Sequence, residues 1–262
     1  IGMTILSGKR GLIVGVANDR SAAWGIAKKA FDLGAELAFT YQLPAFEKRI
    51  APLAESVKSD IVIPCDLSEE GSGKKAIEKL SVYWSEVDFV VHAVGFSDKQ
   101  ELSGAYCNTS RENFKQTMLI SAFSFTELAR ASAPIMPNGG SLLTLSYLGS
   151  VRTTPNYNVM GVAKAALEAS VRYLAVDLGG QNIRVNGLSA GPMKTLAGAA
   201  ITGSRGIFRH SEKNAPLGRN PDIFEVGGAG CYLISDLASG VTGEIHYVDG
   251  GFNKVGVPPI DF

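Results

Sequence analysis

The sequence predicts an α/β chain built on a doubly wound parallel sheet of about seven strands, forming one domain over residues 1–262. Three observations predict it. Short apolar runs alternate with helical patterns of ten or more residues, the signature of parallel strands joined by right-handed crossovers. The first run closes on glycine and leads directly into a helix start. No Ser/Pro-rich linker, internal repeat or low-complexity tract divides the chain.

Each strand is read from a short apolar run. The first is expected at residues 11–16, followed by a helix from Ser21, a plausible N-cap, to about Leu33, where Gly34 stops it. Further strands are expected at 36–41, 61–66, 87–94, 141–145, 183–188 and 244–248. Pro64 argues against pairing on both sides of the third. The clearest later helical patterns cover residues 74–84, 112–131 and 159–178. Residues 194–214 carry Gly198, Gly203 and Gly206 among scattered apolar side chains, which fits a mobile substrate-binding lid inserted after a strand.

Composition excludes several classes. Lys+Arg 25 against Asp+Glu 25 gives zero formal charge, which argues against nucleic-acid or polybasic membrane binding. With 45% hydrophobic and 19% charged residues, the chain can bury a large core, and disorder is excluded. The apolar runs are too short to span a bilayer. No secretory leader is evident, and Ile1-Gly2 before Met3 reads as a cloning leftover. Cys65, Cys107 and Cys231, odd in number and widely spaced, read as small buried hydrophobes in a reducing compartment, most simply the cytoplasm. His92 and His246 read as packing residues, His210 falls in the lid, and no metal site is expected.

The first βα turn runs Gly15-Val-Ala-Asn-Asp-Arg-Ser21-Ala-Ala-Trp-Gly25. It does not match GxGxxG, yet it meets the physical need of a Rossmann-type phosphate turn. Gly15 permits a tight exit, and the free N–H groups around Ser21 can face an anion. Gly25 removes a Cβ where helix and strand pack closely or a phosphate approaches. Gln42 ends the second strand where NAD sites place a ribose-binding acid, and no cation follows for a 2′-phosphate; NADH is therefore expected over NADPH. Asp66 can accept from an adenine amino group or serve as an N-cap.

Tyr157 and Lys164 lie seven residues apart, which brings them to one helical face at ~100° per residue. A phenol with a pKa near ~10 is a neutral donor at pH 7. A nearby ammonium can lower that pKa and hold ribose hydroxyls.

With these residues in view, the chain resembles the short-chain dehydrogenase/reductase superfamily and, within it, the bacterial enoyl-acyl-carrier-protein reductases. The segments 36–42, 142–149, 155–161 and 189–192 carry the resemblance, which covers nearly all of residues 6–252. The general superfamily has YxxxK, but here Met160 stands four before Lys164 and cannot donate a proton; the phenol is seven before, at Tyr157. An enoyl thioester takes hydride at the β-carbon, so the oxygen gathering charge, and its donor, are displaced from the nicotinamide.

The resemblance implies reduction of trans-2-enoyl thioesters with NADH in bacterial type II fatty acid synthesis. It implies catalytic roles for Tyr147, Tyr157 and Lys164, with Lys164 also on the nicotinamide ribose. It puts Gly15, Ser21, Ala22 and Gln42 along the pyrophosphate and adenosine, and Asp66 and Leu67 around adenine. Val94 and Gly95 follow the fourth strand, while Met193, Lys194, Thr195, Leu196 and Ala197 wrap the nicotinamide end. Ser97, Tyr147, Tyr157 and Met160 face substrate. An acidic acyl-carrier-protein partner, received near Lys194, Arg205, Arg209 and Lys213, and a homotetramer are further implications. A ketoreductase or alcohol dehydrogenase, disfavoured by Met160, and a non-catalytic nucleotide sensor are the competing readings.

Overall fold

The computed structural model describes residues 4–257, leaving aside the side chains of Ala197 and Ala200. The Ile1-Gly2-Met3 start and the final five residues lie outside the described residues. Seven parallel strands form one sheet: β1 (Arg10–Val14), β2 (Glu36–Tyr41), β3 (Val62–Pro64), β4 (Phe89–His92), β5 (Gly140–Ser146), β6 (Ile183–Ala190) and β7 (Ile245–Val248). Their order is β3-β2-β1-β4-β5-β6-β7, so the winding reverses between β1 and β4. In open α/β sheets the crevice beyond the carboxyl ends of such a pair receives ligands. All seven expected strands are present. Pro64 sits in β3, an edge strand paired only with β2, so its missing N–H breaks no ladder.

Helices cover both faces. Helices α1 (Ala22–Asp32), α2 (Pro44–Ser56) and α9 (Ile223–Ile234) bury apolar side chains on one side, where Ile26, Ala30, Phe39, Ile50 and Leu233 share a cluster. Helices α3 (Ser72–Leu80), α5 (Ser124–Ser132) and α6 (Asn158–Gly179) cover the other, with Ile77, Phe125, Leu128, Leu167 and Val171 packed on the sheet. Helix α4 (Arg111–Met118) continues into α5 through a π turn, Leu119–Phe123. The helix expected at 112–131 is therefore one rod with a widened turn. Helices α7 (Leu196–Ala200) and α8 (Ser204–Asn214) occupy the expected lid segment.

Gly25 faces a helix, in place of the expected strand or phosphate. A Cβ there would lie 2.0 Å from the Ile223 carbonyl oxygen, and one at Gly227 would lie 2.3 Å from the Gly25 carbonyl oxygen. The two glycines thus let α1 and α9 approach backbone to backbone. Cys65 and Cys231 are buried as expected, but Cys107 is exposed. It falls in a short turn, Tyr106–Asn108, with no buried residue, so it has no core to join. His92 is fully buried, its ring nitrogens paired with the Thr144 and Ser124 hydroxyls at 2.9 Å each. Burial holds that imidazole neutral by lowering its pKa to about 3. His246 packs its ring 6.3 Å from that of Tyr232.

Candidate active site

The turn after β1 opens the site. Gly15 has φ +103°, and a Cβ there would lie 2.3 Å from the Ala93 carbonyl oxygen. Only glycine fits this bend beside the end of β4. Ser21 caps α1: its Oγ accepts from the Trp24 N–H at 3.3 Å and donates to the Asn18 carbonyl at 2.8 Å. The serine hydroxyl therefore organises the turn, and no acidic side chain occupies the first turn of α1 to offset its positive dipole end. Ala22 opens that helix, half-buried.

Gln42 and Asp66, expected at the adenosine, meet: the Gln42 amide donates to Asp66 Oδ1 at 3.2 Å. The same oxygen accepts from the Ser68 N–H and hydroxyl. Asp66 thus caps its own turn, while Gly71 caps α3. Although part-burial opposes it, these hydrogen bonds hold the Asp66 carboxyl below its ordinary pKa. Leu67 and Val94 are half-buried against the core.

Beyond β4, the π turn clamps the loop. Ser121 Oγ accepts from the Phe96 N–H at 2.9 Å and donates to its carbonyl at 3.0 Å. Ser97 turns its hydroxyl into α4, bonded to Asn113 and Thr117, which leaves its main chain at the crevice. A π turn widens the helix by a residue and recurs at functional sites. Periodicity cannot reveal it, because apolar spacing on either side stays helical.

Tyr157 is the N-cap residue of α6, with near-helical φ −111° and ψ −25°. Its ring meets that of Tyr147 edge to face, centroids 5.0 Å apart. Tyr157, Met160, Leu102, Val159 and Ala163 form an apolar cluster, with Tyr147, Met118 and Ile201 packed on it. Ile201 comes from the junction of α7 and α8, so the segment expected as a lid packs on this cluster. Asn156 donates to the Thr202 carbonyl at 2.8 Å, tying the lid to the loop before Tyr157. Desolvation, with smaller repulsion from Tyr147 and Glu168, pushes the Tyr157 phenol well above its ordinary pKa. The phenol therefore keeps its proton at neutral pH; the lowering expected from the Lys164 ammonium does not occur, because burial outweighs it.

Lys164 is buried, and its Nζ donates to the Leu145 carbonyl at 2.8 Å. Desolvation lowers its pKa to about 8, against the opposing attraction of Glu168. A Cβ at Gly95 would lie 3.8 Å from both Lys164 Nζ and Met160 Cε, so the end of β4 faces both side chains. Met193 packs against the core, and Thr195 caps α7 by accepting the Gly198 N–H at 3.0 Å. Lys194 sits 5.3 Å from the Phe208 ring centroid, and Leu196 is exposed. The Ala197 side chain lies outside the described residues.

Sequence reasoning missed Glu168. It is buried and accepts hydrogen bonds from Ser146 and Ser150. A glutamate four residues after a lysine reads as an exposed helical pair; only its place on the sheet-facing side reveals otherwise.

The family model described as Enoyl-(Acyl carrier protein) reductase matches residues 15–253. A Rhizobium meliloti protein named enoyl-acyl-carrier-protein reductase (NADH) 2 is 56% identical, over 98% of this chain and 96% of its own. The crystal structure of FabI from Candidatus Liberibacter asiaticus superposes with TM-score 0.96 at 54% identity, covering 98% of this chain and 100% of that one. The Anaplasma phagocytophilum enoyl-acyl-carrier-protein reductase, crystallised with NAD, gives TM-score 0.95 at 52% identity, over 99% of each chain.

Proposed function

This chain belongs to the enoyl-acyl-carrier-protein reductase family, and from that premise we propose how its own residues serve the reaction. The enzyme reduces the 2,3 double bond of trans-2-enoyl-acyl-carrier-protein thioesters with NADH, in the elongation cycle of fatty acid synthesis. The observation that carries the assignment of roles is the buried Tyr157 phenol, held edge-on to Tyr147 in an apolar cluster whose Met160 flanks Gly95 together with Lys164.

The described residues suit a dinucleotide. Gly15 leaves no Cβ between the β1 turn and β4, and the start of α1 offers N–H groups to the pyrophosphate. The paired Gln42 and Asp66, with Ala22 and Leu67, would hold the adenosine. Val94, Gly95 and the 193–197 stretch would hold the nicotinamide end, with Lys164 on its ribose. When bound, NADH supplies the hydride that reaches the substrate β-carbon, and a proton taken up at the α-carbon completes the saturated thioester.

Tyr157 donates a hydrogen bond to the thioester oxygen as enolate charge develops there. Low-dielectric surroundings strengthen that bond, since the cluster excludes competing water. The raised pKa keeps the phenol a donor throughout. Tyr147 packs on Tyr157 and fixes its ring plane. Met160, at the position where ketone reductases place their phenol, presents a thioether and no acid. Leu102, Met118, Met160 and Ile201 give the acyl chain an apolar surface.

Arg205, Arg209 and Lys213 are exposed at i, i+4 and i+8 along α8, a basic stripe suited to an acidic carrier. With NADH, purified protein is expected to reduce crotonyl thioesters and leave acetoacetyl thioesters untouched. Carrier-bound crotonyl substrate should show a lower KM than its coenzyme A analogue, and kcat/KM should favour NADH over NADPH. Consumption of the keto substrate alone would overturn the assignment.

No helix among the described residues is long and apolar enough to cross a membrane. Phe114, Leu119 and Phe123 on the α4–α5 rod, and Tyr173 and Val176 on α6, are exposed apolar side chains. Such surface favours self-association and supports a homotetramer. Light scattering should return four times the 27.7 kDa chain mass; a monomer mass would contradict it.

A further inference from the structure

Glu168 lies one helical turn beyond Lys164 on α6 and is 5% exposed. A charge so buried is costly unless partnered. Its Oε1 accepts from Ser146 Oγ and from Ser150 Oγ, each at 2.5 Å. These two serines bracket Tyr147, and the turn closes on itself through the Ser150 N–H and the Tyr147 carbonyl at 3.0 Å. The turn also presses on α6: a Cβ at Gly149 would lie 2.5 Å from the Tyr157 ring, and one at Gly161 would lie 2.8 Å from the Gly149 carbonyl oxygen. One carboxylate therefore joins both shoulders of the Tyr147 turn to the helix that bears Lys164.

We propose that Glu168 is a positioning residue of this active site, locking the Tyr147 turn onto α6 through Ser146 and Ser150 and holding negative charge beside Lys164. The inference rests on the reading of Tyr157 and Lys164 given above. Glu168 acts in two ways. The serine bonds set the Tyr147 ring against Tyr157. The charge keeps the Lys164 amine protonated, and so able to donate to hydroxyls, in a site whose burial favours the neutral form. Other groups face this centre: Tyr157 on α6, Tyr147 on the turn and His92 on β4. Tyr247 on β7 also faces it, with Arg152 and Asp249 nearby. His92 is held neutral and both active-site phenols stay protonated near pH 8; Arg152 and Asp249 act on Tyr247, and the charge that acts on Lys164 is Glu168.

The test titrates Lys164 directly, by NMR of protein carrying 13C-labelled lysine, with the resonance assigned by its loss in Lys164→Arg. Glu168→Gln keeps the shape and an oxygen that can accept both serine bonds, while removing the charge. Lys164 should then titrate about one unit lower, and its ammonium fraction at pH 8 should fall from about one half to about one tenth. The alkaline limb of kcat/KM should move with it. Ser146→Ala/Ser150→Ala removes the tie and both donors to the carboxylate; kcat should fall several-fold with little change in KM for NADH. Glu168→Asp, which keeps the charge, should leave the lysine titration near that of the parent and serves if the Gln variant does not fold. An unmoved Lys164 titration in Glu168→Gln, an equal shift in Glu168→Asp, or an unchanged kcat in the double-serine variant overturns the proposal. The lysine titration does not depend on turnover, so failure of the Tyr157 assignment would show separately in Tyr157→Phe.

Discussion

Tyr157→Phe should lower kcat for crotonyl thioester reduction by about 10²–10³-fold, the usual loss when one donor to a developing oxyanion is removed. The substitution deletes one oxygen and keeps the ring. The edge-to-face packing on Tyr147 and the contacts with Met160 and Leu102 therefore survive. NADH affinity, read by fluorescence titration, should be unchanged, because the nucleotide is assigned to the β1 turn, the strand ends and Lys164. The thermal midpoint should also hold, since among the described residues no hydrogen bond involves the phenol. A drop in kcat with unaltered cofactor binding is the signature of an interaction made in the transition state. Unchanged turnover would remove the role assigned to Tyr157.

Gly15→Ala should damage folding and cofactor binding together. At φ +103° an L side chain is strained, and the new methyl would lie 2.3 Å from the Ala93 carbonyl oxygen. Strain and overpacking each cost about 1–3 kcal/mol, so roughly 2–6 kcal/mol is expected in all. In a chain of this size that lowers Tm by roughly 5–20 °C. The clash is with backbone at the end of β4, so relief must move either that strand end or the β1 turn. Both are assigned to the nucleotide, and NADH Kd should rise at least tenfold at a temperature where the variant is folded. Gly8→Ala is the control. Its φ is +76° but nothing lies within 4 Å of the added methyl, so it should cost only the backbone strain and leave NADH binding intact. Equal behaviour of the two variants would show that the approach to β4 is not what Gly15 serves.

Much of this molecule is legible in its sequence. Parallel strands buried on both faces read as continuous apolar runs, and all seven stand where those runs fall. Helix α2 was harder to see, because it buries only Ile50 and Ala54 and carries Pro52 in its interior. Helix α9 was obscured by the Val226-Gly-Gly-Ala-Gly230 stretch, whose glycines suggest a break. Gly227 and Gly230 instead bring it against α1, where a Cβ at either would strike Gly25 or Ile26. In the active site, spacing alone put Tyr157 and Lys164 on one helical face. Neither the T-shaped Tyr147 partner nor Glu168 follows from spacing. Both depend on how the turn after β5 folds back on α6, a contact between segments that local pattern does not encode. The exposure of Cys107 is the converse case: the residue type favours burial, and its turn supplies no core.

The most direct test is a crystal structure with oxidised nicotinamide nucleotide and a crotonyl thioester bound together. The phenolic oxygen of Tyr157 is expected within about 2.5–3.0 Å of the thioester carbonyl oxygen, with the alkene β-carbon against the nicotinamide ring. A complex in which that oxygen is bonded by another group, with the Tyr157 hydroxyl pointing elsewhere, would contradict it.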